Sequence, residues 1–281
     1  MLTDGAWGTQ LQARGLEPGA CPDAWNLLHP DRVEEVGRAY VDAGTRVLLT
    51  NTFRANRIAL LHYGMADRVD EINRAGVEIS RRAAQGRASV FASVGPTGKL
   101  LMTGEISASE VRAAFEEQAN ALATSGADAI VLETMSDLEE AKLAVAAVRA
   151  TGLPVVACMT FESGRAHDRT MMGTTPEEAA SELTAAGADV IGGNCGQGAE
   201  GYIAICKRLH AATKLPIWIK PNAGLPEVSA SGVQYRETPE SFAGHARALV
   251  QAGASFIGGC CGTTPEFIRV VSCALAGNEV C

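Results

Sequence analysis

The sequence predicts an α/β protein with a (β/α)8 TIM barrel fold, formed as a single domain over residues 1–281. Two observations support this. Short apolar runs of strand length alternate with stretches of helix length, and a turn of small residue, glycine and small residue precedes several of the runs. The count of such units approaches eight, and a barrel of this kind typically needs about 250 residues.

The turn motif forms a weak internal repeat along the chain. Its four copies are residues 43–46 (AGTR), 125–128 (SGAD), 186–189 (AGAD) and 252–255 (AGAS). Glycine suits the end of a helix, because it adopts the left-handed backbone conformation without a steric penalty. The apolar run after each copy has the length and composition of a buried parallel strand.

Further strands and helices are predicted in the order that a barrel requires. The additional strands are Leu2 to Gly5, 89–95, 155–161 and 216–222, and the clearest helices are 108–125, 137–151 and 176–186. An open doubly wound sheet is the alternative. It is disfavoured because no Gly-x-Gly-x-x-Gly follows the first strand and no lysine-bearing phosphate loop occurs.

Composition and charge exclude several function classes. A net charge of −8, with acidic and basic residues interspersed, argues against a nucleic-acid surface. No run reaches the roughly 18 apolar residues that a membrane span needs. Eight cysteines without a secretory leader fit reduced thiols, so we expect a soluble cytoplasmic protein.

Three cysteines stand at the ends of predicted strands. Cys195 ends the sixth strand, and the adjacent pair Cys260 and Cys261 ends the eighth. Barrel active sites lie at the carboxyl ends of the strands, so the three should meet at one rim. Neighbouring cysteines rarely bond to each other. Three thiolates can instead hold one zinc ion with a fourth position open, which indicates catalysis.

The alternative for any of these cysteines is a small buried hydrophobe at a strand end. We prefer that interpretation for the five cysteines outside the predicted rim. These are Cys21, Cys158, Cys206, Cys273 and Cys281.

Several motifs together resemble the homocysteine S-methyltransferase family over nearly the whole chain. They are 4–9 (DGAWGT), 50–53 (TNTF), 133–134 (ET), 193–195 (GNC), 221–224 (PNAG) and 258–265 (GGCCGTTP). The cysteine pair between glycines, with the upstream Asn-Cys, is the most specific of these. The stretch 221–226 (PNAGLP) looks closest to the homocysteine-binding barrel of cobalamin-dependent methionine synthase.

The resemblance implies a role for each matching position. Cys195, Cys260 and Cys261 would be the zinc ligands and the catalytic residues, and Asn222 would supply an oxygen ligand that the substrate displaces. The implied activity is methyl transfer to homocysteine, held as a thiolate, to give methionine.

Homocysteine itself is expected to bind at a second group of positions. The resemblance assigns its recognition to Asp4, Glu133 and the turn Gly5, Ala6 and Trp7. An ammonium group needs acidic partners, which Asp4 and Glu133 would provide.

Other roles for these residues stay open. Asp4 could cap the following turn, Glu133 could pair with Lys220 or an arginine, and Trp7 could be ordinary barrel packing. His167 fits a solvated loop residue better than a metal ligand, and Lys220 has no assigned role.

The sequence departs from the family in its first strand and in its extent. Only three residues precede Asp4, so we expect the bottom of the barrel to be open or covered by the C-terminal helix. No second barrel and no cobalamin-binding module is recognised, so a corrinoid donor would arrive on a separate protein. No residue of the rim indicates which molecule donates the methyl group.

Three rival functions remain. The thiol could differ, as in coenzyme M or selenocysteine chemistry. The chain could present a thiol only when docked to a corrinoid carrier. The weakest alternative is a metal-free barrel enzyme.

Overall fold

The structure, a computed structural model, describes residues 1–229 and 232–277. Seven parallel strands form one curved sheet in which each strand pairs with the next along the chain, in the order β1 to β6 and then β9. Strands β7 and β8 form a separate antiparallel hairpin between β6 and β9. The strands within the described residues are β1 (Val47–Leu49), β2 (Ser89–Val94), β3 (Ala129–Met135), β4 (Val155–Met159), β5 (Val190–Gly198), β6 (Ile217–Asn222), β7 (Glu227–Ser229), β8 (Gly232–Gln234) and β9 (Ala254–Ile257).

The predicted first strand is present only as a pair of single-residue bridges. Leu2 bridges Ile257 of β9, and Thr3 bridges Val47 of β1, both in parallel. Backbone hydrogen bonds support both sides, including Thr3 N–H to Ile257 O at 2.8 Å and Val47 N–H to Leu2 O at 3.2 Å. Leu2 and Thr3 therefore occupy the eighth position and close the barrel. The sequence prediction of the fold is confirmed, with a first strand shorter than Leu2 to Gly5.

Helices follow the strands and cover the outside of the barrel. They are α1 (Gly8–Gln12), α2 (Trp25–Leu28), α3 (Pro30–Asp42), α4 (Arg57–Leu61), α5 (Val69–Ala84), α6 (Ala108–Thr124), α7 (Leu138–Arg149), α8 (Pro176–Ala186), α9 (Ala199–Ala212), α10 (Pro239–Gly244), α11 (Ala246–Gln251) and α12 (Pro265–Ala276). Capping boxes fix the starts of α6 and α8, where Ser107 pairs with Glu110 and Thr175 with Glu178.

The four repeated glycines end helices as predicted. Gly44, Gly126, Gly187 and Gly253 all have φ between 89° and 109°, in the left-handed region. In two of the copies the last residue is an aspartate, which ties the strand that it precedes to the neighbouring strand of the sheet. Asp128, for example, accepts a hydrogen bond from the backbone N–H of Val90 at 2.7 Å. The repeat thus sets where each helix stops and where the following strand joins the sheet.

The interior of the barrel is filled by side chains. Trp218 on β6 is fully buried and stacks on Phe91 of β2, with ring centroids 6.2 Å apart. Gly192 on β5 leaves room for it, since a Cβ there would lie 2.1 Å from the Trp218 carbonyl oxygen. The barrel interior is therefore filled at the level of these rings, and a cavity opens where the strands end.

Within the described residues, no helix combines the length and the apolar character required to cross a membrane. Among the described residues, none of the cysteines predicted to be structural joins the group of three that could hold a metal ion. Cys21, Cys158 and Cys206 are buried free thiols, and Cys273 on α12 is disulfide-bonded, which the expectation of reduced thiols did not anticipate. Cys281 lies outside the described residues.

Candidate metal and substrate site

Three cysteine sulfurs converge at the carboxyl end of the barrel. The Sγ atoms of Cys195, Cys260 and Cys261 all lie within 4.8 Å of one another. Sulfurs bound to one zinc ion at about 2.3 Å would be about 3.8 Å apart, so the cluster needs little adjustment to hold a metal. The sequence predicted that these three residues meet at one rim of the barrel, and the structure places them together there.

Local backbone geometry aims Cys195 at the cluster. Cys195 has φ of 61°, a conformation that is unfavourable for a residue with a side chain. It follows Asn194, where the pairing between β5 and β6 shifts register. Such irregularities at the end of a strand redirect side chains, and local strain of this kind concentrates at functional sites.

Asn194 connects the cysteine cluster to strand β3. Its Oδ1 accepts a hydrogen bond from the Thr134 N–H at 2.7 Å, and its Nδ2 donates to Thr134 Oγ1 at 2.8 Å. The same Nδ2 lies 3.8 Å from the Cys260 sulfur. Thr134 also has a left-handed backbone, with φ of 63°. One amide side chain therefore fixes two strained strand ends and contacts a sulfur.

The three thiols resist losing their protons together. Hydrogen bonding with Cys195 and burial raise the pKa of Cys260 well above its usual value. A hydrogen bond from Cys195 lowers the pKa of Cys261. Proximity to Cys260 and burial outweigh this effect and raise the pKa of Cys261 to about 12. Three thiolates at neutral pH therefore require a cation among them, and a soft divalent metal is the ion that thiolates prefer.

Asn222 lies at the end of β6, between the strands that carry Cys195 and the cysteine pair, and is the candidate for the remaining position of such a site. Its side chain is 2% exposed, and its Oδ1 is buried without a hydrogen-bond partner. Backbone hydrogen bonds fix it beside the cysteine pair, because Cys260 N–H donates to Pro221 O at 2.6 Å and Ala223 N–H donates to Cys261 O at 2.9 Å. A buried amide oxygen without a partner is unusual and is free to bind a ligand. The donor set therefore fits a metal ion.

A cavity of about 280 Å³ opens beside the sulfurs. Its walls are mostly apolar and include Trp7, Leu49 and Phe53. The predicted turn residues Gly5 and Ala6 also line it. Gly5 must be glycine, because a Cβ there would lie 2.8 Å from the Thr263 hydroxyl and from the Tyr40 ring. The cavity gives a small molecule access to the cysteines.

Glu133 is the carboxylate that faces the cavity near the cluster. It is 9% exposed and lines the cavity, and the Ser93 hydroxyl donates a hydrogen bond to its Oε1. Burial raises the pKa of Glu133, although Lys220 and the bond from Ser93 act against this. A carboxylate with a raised pKa in an apolar wall gains by pairing with a cation from a ligand.

Asp4 occupies a different place from the one expected of a direct substrate contact. Its side chain is fully buried, and Asp4 Oδ1 lies 2.5 Å from Lys220 Nζ. Its other oxygen accepts from the Leu49 N–H at 2.8 Å and from the Trp7 indole N–H at 2.9 Å. Asp4 thus fixes Trp7 in the cavity wall. Whether it also contacts substrate stays a prediction.

Lys220 pairs with Asp4, a partner that the sequence did not predict for it. Burial opposes its charge, but the carboxylates of Asp4 and Glu133 outweigh this effect, and the pKa of Lys220 is raised. His167 is an exposed loop residue, as expected, and its Nδ1 lies 2.9 Å from the Glu162 carbonyl oxygen.

Sequence reasoning missed three residues of the site. Asn194 and Ser93 are polar residues near strand ends, a signal that could have indicated them. Tyr235 lies on the β8 side of the cluster, and its ring packs over Gly262, next to the cysteine pair. No local pattern marks Tyr235, since its position depends on tertiary structure.

The fold and the site together define an α/β barrel that carries, at the carboxyl ends of its strands, a cavity and three cysteines that could hold a metal ion. The chain matches the family described as homocysteine S-methyltransferase over residues 1–275. It belongs to the homocysteine S-methyltransferase family.

Curated relatives agree with this assignment. The chain is 36% identical to the methionine synthase of Mycobacterium tuberculosis (strain ATCC 25618 / H37Rv) and 34% identical to that of Mycobacterium leprae (strain TN), each over 297 aligned residues. Both alignments cover 98% of this chain and 24% of the relative. The chain therefore spans about a quarter of the length of the methionine synthases that it matches.

Solved structures share the fold. The chain is similar to the homocysteine methyltransferase MmuM from Escherichia coli in its metallated form, with a TM-score of 0.81 and 24% identity. The match covers 96% of this chain and 94% of that chain. The apo form of the same enzyme gives a TM-score of 0.76.

Proposed function

We propose that this protein is a zinc-dependent methyltransferase that activates homocysteine as a thiolate and accepts a methyl group to form methionine. One observation carries the proposal. Three sulfurs within 4.8 Å of one another border a cavity that Glu133 also lines, so a metal-binding end and an amino-acid-binding end share one space. Family membership and the methionine synthase relatives support the same activity.

Cys195, Cys260 and Cys261 would hold the zinc ion, and Asn222 would provide an oxygen from the neighbouring strand. When bound, zinc supplies the Lewis acidity that keeps a substrate thiol, with an ordinary pKa of about 8.5, deprotonated at neutral pH. The Asn222 oxygen has no hydrogen-bond partner among the described residues, and a bound metal ion would supply the partner that it lacks.

The remaining cavity residues would orient homocysteine. Glu133 is proposed to receive the ammonium group, while Gly5, Ala6 and Trp7 form the wall along the carbon chain. Asp4 would support binding by fixing Trp7 and by neutralising Lys220. With the thiol and the ammonium both fixed, the sulfur is presented in one direction, which is what a displacement at carbon requires.

The transfer itself needs no acid or base on the methyl carbon. The thiol proton leaves to solvent, and the sulfur electron pair forms the new S–CH₃ bond. The bond between the methyl group and its donor breaks at the same time, and its electron pair stays with the donor. The protein contributes orientation and a cavity wall that excludes water.

A second candidate is a thiol-presenting subunit that works only with a separate corrinoid protein. The methionine synthase relatives favour it, because the region that matches this chain makes up 24% of their length and is therefore one part of a longer protein there. A corrinoid protein would then be a partner as well as the source of the methyl group. In either case the thiols must stay reduced, so the cytoplasm is the proposed compartment.

Incubating the zinc-loaded protein with homocysteine and a panel of donors tests the proposal. Methionine formed from S-methylmethionine, betaine or free methylcobalamin would support an independent enzyme. Zinc and homocysteine binding without turnover on any of them would support the subunit. A purified protein that binds neither zinc nor homocysteine would refute both.

A further inference from the structure

Asn51 borders the cavity from the loop that connects β1 to α4. The residue is only 4% exposed. Its Nδ2 donates two hydrogen bonds, one to the Pro22 carbonyl oxygen at 2.8 Å and one to Asn26 Oδ1 at 3.0 Å. Both hydrogens of the Asn51 amide are therefore used within the protein.

The neighbouring amide of Asn26 fixes the orientation of the Asn51 side chain. Asn26 is 2% exposed, and its Nδ2 donates to the Asn51 carbonyl oxygen at 2.8 Å and to the Ile72 carbonyl oxygen at 3.1 Å. Since Asn26 gives both hydrogens to backbone carbonyls, it can offer Asn51 only its Oδ1. Turning the Asn51 amide over would place its oxygen against two acceptors, so the network allows one orientation.

This network leaves Asn51 Oδ1 as an acceptor without a donor. Among the residues that the structure describes, none donates to it, and it keeps an exposed surface, in contrast to Asn222 Oδ1. Because Asn51 borders the cavity, the oxygen is available to a molecule that occupies that space. A nearly buried polar atom that lacks a partner gains by bonding to a ligand.

An acceptor in this wall suits the ammonium group of an amino acid. An ammonium group has three N–H donors and no acceptor, so it needs more than one oxygen around it. Glu133 borders the same cavity, but its Oε1 already accepts a hydrogen bond from Ser93. Both oxygens of Asp4 also accept hydrogen bonds from protein groups. The Asn51 oxygen would add an acceptor without adding a second negative charge beside Glu133.

We propose that Asn51 determines specificity for amino-acid thiols, with its Oδ1 accepting a hydrogen bond from the ammonium group of homocysteine. The inference deepens the proposed function and rests on it. A suitable probe is 4-mercaptobutanoate, which has the carbon chain, thiol and carboxylate of homocysteine but no nitrogen.

Asn51→Ala tests the proposal when both thiols are used as ligands. Calorimetry on the zinc-loaded proteins under reducing conditions gives the dissociation constant of each thiol. We expect homocysteine to bind to the variant at least about 10-fold more weakly than to the wild type, because a hydrogen bond to a charged group is lost. The affinity for 4-mercaptobutanoate should not change. The ratio of the two constants is the readout, since general damage to the cavity would weaken both thiols alike.

Asn51→Ser is a second variant, for use also if Asn51→Ala does not fold. Its hydroxyl can still donate to the Pro22 carbonyl or to Asn26 Oδ1, but the amide oxygen is gone. The same selective loss of homocysteine affinity is expected.

Asn73→Ala is the matched control. Asn73 is also buried, and its Nδ2 donates to the carbonyl oxygens of Ala55 at 2.8 Å and Val69 at 2.7 Å. Its Oδ1, however, accepts a hydrogen bond from Gln118 at 3.2 Å, and Asn73 does not line the cavity. Asn73→Ala should lose stability while the ratio of the two dissociation constants stays at the wild-type value.

Two results would overturn the role of Asn51 and leave the proposed function intact. One is an unchanged affinity for homocysteine in the Asn51 variants. The other is an equal loss of affinity for both thiols, which would show that Asn51 only shapes the cavity. A wild-type protein that binds zinc but not homocysteine would instead refute the proposed function.

Discussion

Lys220 and Asp4 form a fully buried ion pair beneath the cavity, with 2.5 Å between Nζ and Oδ1 and side-chain exposures of 2% and 0%. Their separation in sequence is 216 positions. The pair therefore joins the start of the chain to β6 and keeps Trp7 in the cavity wall through Asp4.

Lys220→Met should destabilise the protein by about 3–5 kcal/mol, because the Asp4 carboxylate would stay buried without its cation. Urea denaturation measures the loss. Lys142→Met is the control, since Lys142 pairs with exposed Glu139 and Glu182 and should cost less than about 1 kcal/mol. Equal losses in the two variants would contradict a structural role for the buried pair.

Cys260→Ser should abolish stoichiometric zinc binding, because a serine hydroxyl is a poor ligand for a site built of thiolates. Metal analysis of the purified variant measures this. Cys206→Ala removes a buried thiol on α9 that lies away from the cluster, and it should retain one zinc ion per chain. Full zinc content in Cys260→Ser would exclude the three-cysteine site.

Zinc removal by a chelator should lower the thermal midpoint, and added zinc should restore it. A ligand that binds only the folded state stabilises it by about 2.7 kcal/mol at 100 times its Kd. The shift should be absent in Cys260→Ser. A midpoint that is insensitive to both treatments would argue against a metal in the folded protein.

Glu133→Gln should raise the KM for homocysteine about 10- to 100-fold, because a charge-assisted hydrogen bond of about 1.5–3 kcal/mol to the ammonium is lost. Zinc affinity should not change. The control is Glu182→Gln, which alters an exposed carboxylate on α8. If KM is unchanged in Glu133→Gln, the ammonium binds elsewhere, and Asp4 would be the next residue to test.

Asp23 should make stability depend on pH. Burial raises the pKa of this carboxyl from its ordinary value of 3.8 to about 6, although the Arg54 N–H bonds to it. A raised folded-state pKa favours the folded protein at low pH, and this contribution is lost as the pH rises through 6. Between pH 4.5 and 7.5 the loss is about 2 kcal/mol.

Asp23→Asn should remove this dependence. Urea denaturation gives the free energy of unfolding of the wild type and of Asp23→Asn at pH 4.5 and at pH 7.5. Subtracting the wild-type value from that of the variant at each pH cancels the effect of other titrating groups. The free energy of unfolding of Asp23→Asn should increase relative to that of the wild type as the pH rises. A difference that is constant with pH would show that Asp23 keeps an ordinary pKa.

The sequence predicted the barrel and the three cysteines because both follow from local signals. The repeated glycines stop helices at Gly44 and Gly126, and barrel topology brings strand ends to one rim. The first strand was overestimated, since Gly5 and Ala6 turn into the cavity wall and only Leu2 and Thr3 pair with neighbours.

The supporting contacts of the site could not be predicted in the same way. The pairing of Asp4 with Lys220, and the packing of the Tyr235 ring over Gly262, depend on where distant parts of the chain meet in three dimensions. Hydrophobic period and turn chemistry do not encode such meetings. Asn194 and Ser93, as polar residues near strand ends, could have been inferred from their positions in the chain.

The closure of the barrel by Leu2 and Thr3 also constrains how the protein is made. Ala6 N–H donates to the hydroxyl of Thr263, 257 positions away, just after the cysteine pair. During synthesis the opening residues of the cavity must wait for the last strand before they find partners, and such long-range pairings form late. The candidate site is thus complete only once Leu2 and Thr3 have paired with their neighbouring strands, and a nascent chain that stops before β9 lacks two of its three cysteines.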